Sequence, residues 1–171
     1  MEKAGLSTVT HTIKPIYDEN SRALILGTMP SPKSREAGFF YGHPQNSFWR
    51  VMAAVFGVSA LETNAQKTAF LLENRIALWD VLRSCDISGA ADGSIRNPVA
   101  NDFSAILNAA AIKAVYTTGI TATKLYKKLC LEQTGIPAVC LPSTSPANRG
   151  RCGFDELVER YTVIAELLKD K

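Results

Sequence analysis

Residues Leu24 to Gly27 form a short apolar run that stops at a glycine, with Pro30 and Pro32 close behind. An apolar run of this length containing a β-branched residue reads as a buried strand, and the glycine and prolines prevent the ladder from continuing. The next pattern is helical. Phe48, Met52, Val55 and Phe56 recur at helical spacing up to Gly57, and Pro44 suits a first helical turn, where its missing N–H would be unpaired anyway. The loop from Gly27 to His43 therefore joins a strand to a helix. In an open α/β sheet such loops lie at the carboxyl ends of the strands, where ligands bind. This loop is long and rich in aromatic and small polar residues, which makes it the first candidate site.

The alternation continues. Thr63-Asn-Ala-Gln66 has capping-box spacing and predicts a helix to Glu73, followed by a strand at Ile76–Asp80. Ser84 to Pro98 is rich in Gly, Ser, Asp and Asn and is expected to be a loop, with Asn101 capping a short helix through Leu107. A third strand is predicted at Lys113–Thr117, a helix from Thr121 to Leu131 after Gly119, and a fourth strand at Pro137–Leu141. Pro142 to Gly150 is a run of turn formers and small hydroxyls, the second candidate site. A last helix follows, with Phe154, Leu157, Tyr161, Ile164 and Leu168 on one face and Asp155 and Glu156 in its first turn. Residues 1–21 show little beyond Val9-Thr-His-Thr-Ile13 and a Pro15 turn, and are expected to form an edge segment or loose arm without function.

Strand and helix in strict alternation predict a three-layer α/β sandwich: a mostly parallel four-stranded sheet flanked by helices, in one domain spanning residues 1–171. At 171 residues and 46% hydrophobic composition the chain can bury a sizeable core. It carries no apolar stretch of signal-peptide or membrane-spanning length, so a soluble, cytoplasmic protein is expected. Its four cysteines lack metal-ligand spacing, and reduced thiols without metal or cofactor are the expectation. A net charge of +3 permits a polyanionic partner without demonstrating one, and Lys124, Lys127 and Lys128 suit a plain solvated face. Walker, GxSxG and HExxH motifs are absent, which leaves nucleotide hydrolysis and acyl transfer through those motifs unsupported.

In such a fold the strand-end loops share one edge, so Gly27–Asn46, Asp80–Ser94, Thr118–Ala122 and Pro142–Gly150 surround a single crevice. Gly27 and Gly119 allow a ligand close to the backbone. Phe39, Phe40 and Tyr41 could stack on a planar group, although for any one of them taken alone the core is the first reading; three in succession cannot all point inward. Asn46, placed in the first helical turn, is either a cap or an amide facing the crevice, and His43 has the same two readings. Ser143–Ser145 suits an ST-turn as well as a phosphate site. Asp80 is either a carboxylate base or a structural acceptor closing its strand.

Gly27-Thr-Met-Pro-Ser31, Phe39-Phe-Tyr-Gly-His-Pro-Gln-Asn-Ser-Phe-Trp49 and Leu141-Pro-Ser-Thr-Ser-Pro-Ala-Asn148 together resemble the uracil-DNA glycosylase superfamily, and within it the hypoxanthine-DNA glycosylase group. The mismatch-specific uracil/thymine group is a more distant likeness. The resemblance implies a monofunctional DNA repair glycosylase that flips a deaminated base, hypoxanthine before others, out of double-stranded DNA, and a monomer is expected. Water would then hydrolyse the N-glycosidic bond and leave an abasic site. Tyr41 matches the residue that stacks on the flipped base, with Gly27, Phe40, His43 and Thr118 around it, and backbone groups near Thr28 and Met29 match those that read its edge. Asn46 matches the catalytic asparagine. Ser31 and the loop Ser143, Thr144, Ser145, Pro146, Ala147, Asn148 and Arg149 match segments that hold the DNA backbone. An oxocarbenium-like transition state needs an oriented water and donors for the leaving base more than it needs a strong nucleophile.

The chain departs from the mismatch-specific group at Met29, where those proteins carry asparagine; a thioether cannot hold water by a strong hydrogen bond. Many relatives also have Asn-Gly where this chain has Thr118-Gly119. A mismatch-specific uracil/thymine glycosylase is the alternative within the family. A nucleoside hydrolase, which needs no phosphate-pinching loop, and a lesion-binding module, which needs no Asn46, are the alternatives outside it.

Overall fold

The apolar run at Leu24 forms β2 (Ala23–Gly27), all five residues of which are buried. In the computed structural model, which describes residues 5–148 and 150–169, this strand lies inside a parallel sheet with β3 (Ile76–Asp80), β6 (Ala114–Thr118) and β7 (Ala138–Leu141). The order is β3-β2-β6-β7. Successive residues of a strand face opposite sides. Accordingly Ile25 joins one hydrophobic cluster with Phe48, Met52 and Tyr161, while Leu24 and Leu26 join another with Phe103, Ala122 and Tyr126. A parallel sheet needs this burial on both faces, because its crossovers lay helices on each side.

The first face is covered by α2 (Phe48–Phe56), α3 (Asn64–Glu73) and α7 (Phe154–Lys169). The second carries α4 (Ser104–Ala109) and α5 (Ile120–Leu129). The result is the expected three-layer sandwich. The capping box forms as read: Gln66 N–H donates to the Thr63 hydroxyl and Thr63 N–H to the Gln66 side chain, each at 3.1 Å. A short α6 (Leu131–Thr134) follows α5, which ends at Leu129 and not at Leu131.

Three expectations need correction, and one open alternative is decided. The segment Ser84–Pro98 is not a loop: β4 (Leu82–Ile87) and β5 (Arg96–Ala100) form an antiparallel sheet with β1 (Ser7–Thr10), in the order β1-β4-β5. Its turn formers belong to the connection between the strands, and Pro98 is tolerated because β5 lies at the edge. The N-terminal segment is therefore an edge strand, further anchored by an antiparallel bridge between Ile16 and Leu78, and is not a loose arm. Asn101 does not cap α4. It is buried, and its amide donates to the carbonyls of Asp80 at 2.9 Å and Leu82 at 3.1 Å, stapling the point where the chain passes from one sheet to the other; Asp102 accepts from Ser104 N–H instead. Finally, the loop after β2 contains a helical turn and a half, α1 (Pro32–Ala37), and α2 begins only at Phe48, so Pro44 and Asn46 precede the helix.

Candidate active site

Gly27, Asp80 and Thr118 end three adjacent parallel strands, and the chain beyond β7 crosses beside them. Together they border a cavity of about 510 Å³, within the range of small-ligand sites. Of the residues singled out from sequence, Gly27, Thr28, Met29, Ser31, Phe40, Tyr41, His43, Asn46, Thr118 and Ser143 to Ala147 line it. Asn148 lines a neighbouring groove with Arg151 and Arg160, and Arg149 lies outside the described residues.

The three consecutive aromatics diverge, as their succession required. Phe40 is core at 2% exposure, and its carbonyl accepts from the Trp49 indole at 3.0 Å. Phe39 stacks on the Trp49 ring at 5.9 Å. Tyr41 lines the cavity, with its ring stacked at 3.9 Å on Phe48 and its hydroxyl 3.2 Å from that of Thr118. It adopts φ +53°, a left-handed conformation that costs a non-glycine residue on the order of 1 kcal/mol and is held only where the surroundings dictate it. Burial first, and the nearby Asp80 charge second, raise the Tyr41 phenol well above its ordinary range, so it is a neutral hydroxyl.

Asn46 ties the two motifs together across a sequence gap of 98 residues. Its Oδ1 accepts from Phe48 N–H at 2.9 Å and from the Thr144 hydroxyl at 2.8 Å. A backbone N–H only donates, so this atom is the oxygen, and the Nδ2 donors remain for the cavity that Asn46 lines. Asn46 is thus a helix-entry cap and a cavity residue at once. Thr144 is buried, and its carbonyl accepts from the Ser47 N–H at 3.1 Å and hydroxyl at 3.3 Å. The adjoining turn is held by Ser145 N–H on the Ser143 hydroxyl and by the Asn148 amide on the Ser143 carbonyl. His43 closes its own turn by accepting from Gln45 N–H at 3.1 Å.

Sequence reasoning left out His11 and Asp92, and held Asp80 between two roles. Asp80 lines the cavity, and its Oδ2 lies 2.7 Å from His11 Nε2. The signal for His11 was the period-two alternation of Val9, His11 and Ile13, which turns those three side chains inward in β1 and its continuation. Asp92, in the turn between β4 and β5, also lines the cavity and lies 3.5 Å from the Thr28 hydroxyl; burial raises its carboxyl above the ordinary range. No sequence pattern marks it.

The sequence profile of the Uracil DNA glycosylase superfamily matches residues 14–169. The chain belongs to this superfamily. Two curated members of similar sequence are the hypoxanthine DNA glycosylases of Methanosarcina barkeri, 34% identical over 137 residues, and of Methanosarcina acetivorans, 35% identical over 136. The alignments cover 79% and 78% of this chain, and 85% of each relative. A solution NMR structure from Methanosarcina acetivorans, provisionally assigned as a uracil DNA glycosylase, superposes with a TM-score of 0.77 at 29% identity, covering 93% of this chain and 99% of that one. The superfamily fold thus extends over nearly all of the described chain. No helix among the described residues is long and apolar enough to cross a membrane.

Proposed function

We propose that this protein is a monofunctional DNA glycosylase that excises hypoxanthine from double-stranded DNA by hydrolysing its N-glycosidic bond. The observation that carries the reading is the bond between Asn46 and Thr144, which brings the two motifs to one cavity beside an aromatic ring whose other face is backed by Phe48. The names of the two sequence relatives support the choice of base.

In this reading the flipped base stacks on Tyr41, and backbone groups near Thr28 and Met29 meet its edge. With its oxygen already engaged twice, Asn46 holds the attacking water through Nδ2, as a donor to the water oxygen rather than as a base. That suffices where the sugar already carries oxocarbenium character. Ser31 and the turn Ser143–Asn148, with Arg149, approach the phosphates; the short side chains let backbone N–H groups come near. Among the described residues no lysine lines the cavity, and Lys33, which follows Gly27–Ser31, is exposed and 3.9 Å from Glu36. A Schiff-base strand cleavage would need such an amine. Flexible Met29 and small Thr118 border a space that suits a purine. The protein is expected to act as a monomer.

The test is a panel of duplexes carrying a single hypoxanthine, uracil, xanthine or mismatched thymine, scored for abasic sites. Hypoxanthine should be released fastest. Release of uracil or thymine in preference would establish the mismatch-specific alternative, and no release from any duplex would leave a lesion-binding module.

A further inference from the structure

Gly27 has no side chain, and polar atoms converge where one would be. A Cβ built there would lie 2.5 Å from Asp80 Oδ1, 3.1 Å from the Tyr41 hydroxyl and 3.6 Å from the Thr118 hydroxyl. The Asp80 carboxylate is held in this orientation from behind. Its Oδ2 is 2.7 Å from His11 Nε2, and the other ring nitrogen, Nδ1, accepts the N–H of Ile13 at 3.2 Å. Because that backbone N–H can only donate, Nδ1 carries the lone pair and Nε2 the proton. His11 is therefore a donor to Asp80. The two side chains are 1% and 6% exposed, with the imidazole between the Phe40 and Trp79 rings at 6.1 Å from each. Among the described residues nothing donates to Oδ1. A nearly buried acceptor with one oxygen satisfied and the other turned to a cavity is a recognition element for a donor on the ligand.

We infer that Asp80 Oδ1 reads the protonated ring nitrogen of a deaminated base, and that His11 is its positioning residue. The inference rests on the glycosylase reading above. Deamination of adenine converts a ring edge whose N1 is an acceptor into one whose N1 bears hydrogen beside a carbonyl. A carboxylate accepts and never donates, so it pairs with hypoxanthine N1–H and faces the N1 lone pair of adenine with an unpaired charge. A site built to pair one edge rejects the other strongly, because its own buried polar group is left unsatisfied. The Tyr41 hydroxyl can donate to that of Thr118, 3.2 Å away beside the same bare Cα, which leaves the Thr118 proton for the neighbouring carbonyl oxygen. Gly27 is required because any side chain would occupy the place of this edge.

The experiment compares single-turnover release of hypoxanthine and of unsubstituted purine, which keeps the ring but has an acceptor N1 and no carbonyl, from otherwise identical duplexes. In Asp80→Asn the His11 proton binds the amide oxygen, so the amide NH2 faces the cavity and replaces an acceptor with a donor. Hypoxanthine release should fall about 100-fold, the scale of losing one positioned polar group, while purine release holds or rises. His11→Ala, which frees the carboxylate to turn, should narrow the preference for hypoxanthine about tenfold, and His11→Gln, which retains a donor, should restore part of it. The ratio of the two bases is read within each variant, so a general loss of folding cannot mimic the result. An equal fall for both bases, as a purely structural or purely electrostatic role would give, overturns the inference, as does an unchanged hypoxanthine rate in Asp80→Asn. Failure of the wild type to release hypoxanthine, by contrast, overturns the choice of base in the proposed function on which the inference rests.

Discussion

At the floor of the cavity, Gly27, Asp80 and Thr118 terminate adjacent strands whose places are set by ladder pairing and by cores sealed on both faces of the sheet. At the rim, Ser143–Asn148 is a turn of small residues with Ala147 exposed, held by a few hydrogen bonds to Asn46, Ser47 and itself. Interiors this closely packed do not yield gradually, whereas a surface turn adjusts to what it meets. In the proposed function the two would have separate tasks, the floor discriminating the base and the rim holding the DNA backbone, with Asn46 in both because it is bonded to the rim while it lines the cavity. Substitutions at the floor should change rates with little effect on duplex affinity. Those at the rim should change affinity and its salt dependence.

The largest effect is expected at the junction. Asn46→Ala should slow single-turnover base release by about 100-fold or more and leave duplex affinity nearly intact; an unchanged rate would reduce Asn46 to its capping bond with Phe48. Gly27→Ala tests the floor. Its methyl group would stand 2.5 Å from an oxygen that cannot retreat while His11 holds the carboxylate. Release should drop by tens of fold, approaching the about 100-fold cost of an ångström of misplacement. Normal kinetics in this variant would show that the floor yields, contrary to the contrast drawn above.

Thr144→Val keeps the shape of the rim while deleting the hydroxyl that orients Asn46. A loss of about tenfold in rate is expected, in line with one lost neutral hydrogen bond, with affinity little changed. If affinity fell and rate did not, the bond would serve the rim alone. Arg149→Ala is the mildest. It should weaken duplex binding several-fold at low salt and make the logarithmic salt dependence shallower by about one, the signature of one phosphate contact, at unaltered single-turnover rate. Equal salt slopes in the two proteins would remove Arg149 from the interface.

Local order explains what the sequence made legible. Each strand of the parallel sheet is a continuous apolar run buried on both faces, and such runs announce themselves; so do the Thr63–Gln66 capping box and the amphipathic last helix. The paired motifs identified most of the cavity lining for the same reason, since each follows a strand end. What escaped depends on pairing over long distances. β4 and β5 carry Ser84, Asp86, Asn97 and Pro98 at half-buried or exposed positions, and they read as a loop until β1, nearly eighty residues earlier, is seen beside them. That pairing also places His11 next to Asp80, 69 residues away, and nothing in either neighbourhood alone specifies the contact. Asn101 was misplaced because its side chain serves two carbonyls at a junction between sheets, a need that does not exist locally.

The most direct test of the central claim is the single-turnover rate of abasic-site formation by the wild-type protein on two duplexes that differ only in carrying hypoxanthine or uracil, measured beside Met29→Asn. Hypoxanthine should leave faster, because donors around its edge stabilise the departing base and reduce the demand on the water that Met29 cannot hold. Met29→Asn should raise the uracil rate selectively, the strands should stay intact until alkali is added, and borohydride should trap no covalent complex. Uracil released as fast as hypoxanthine by the wild type, or a trapped protein–DNA adduct, would contradict this description of the site.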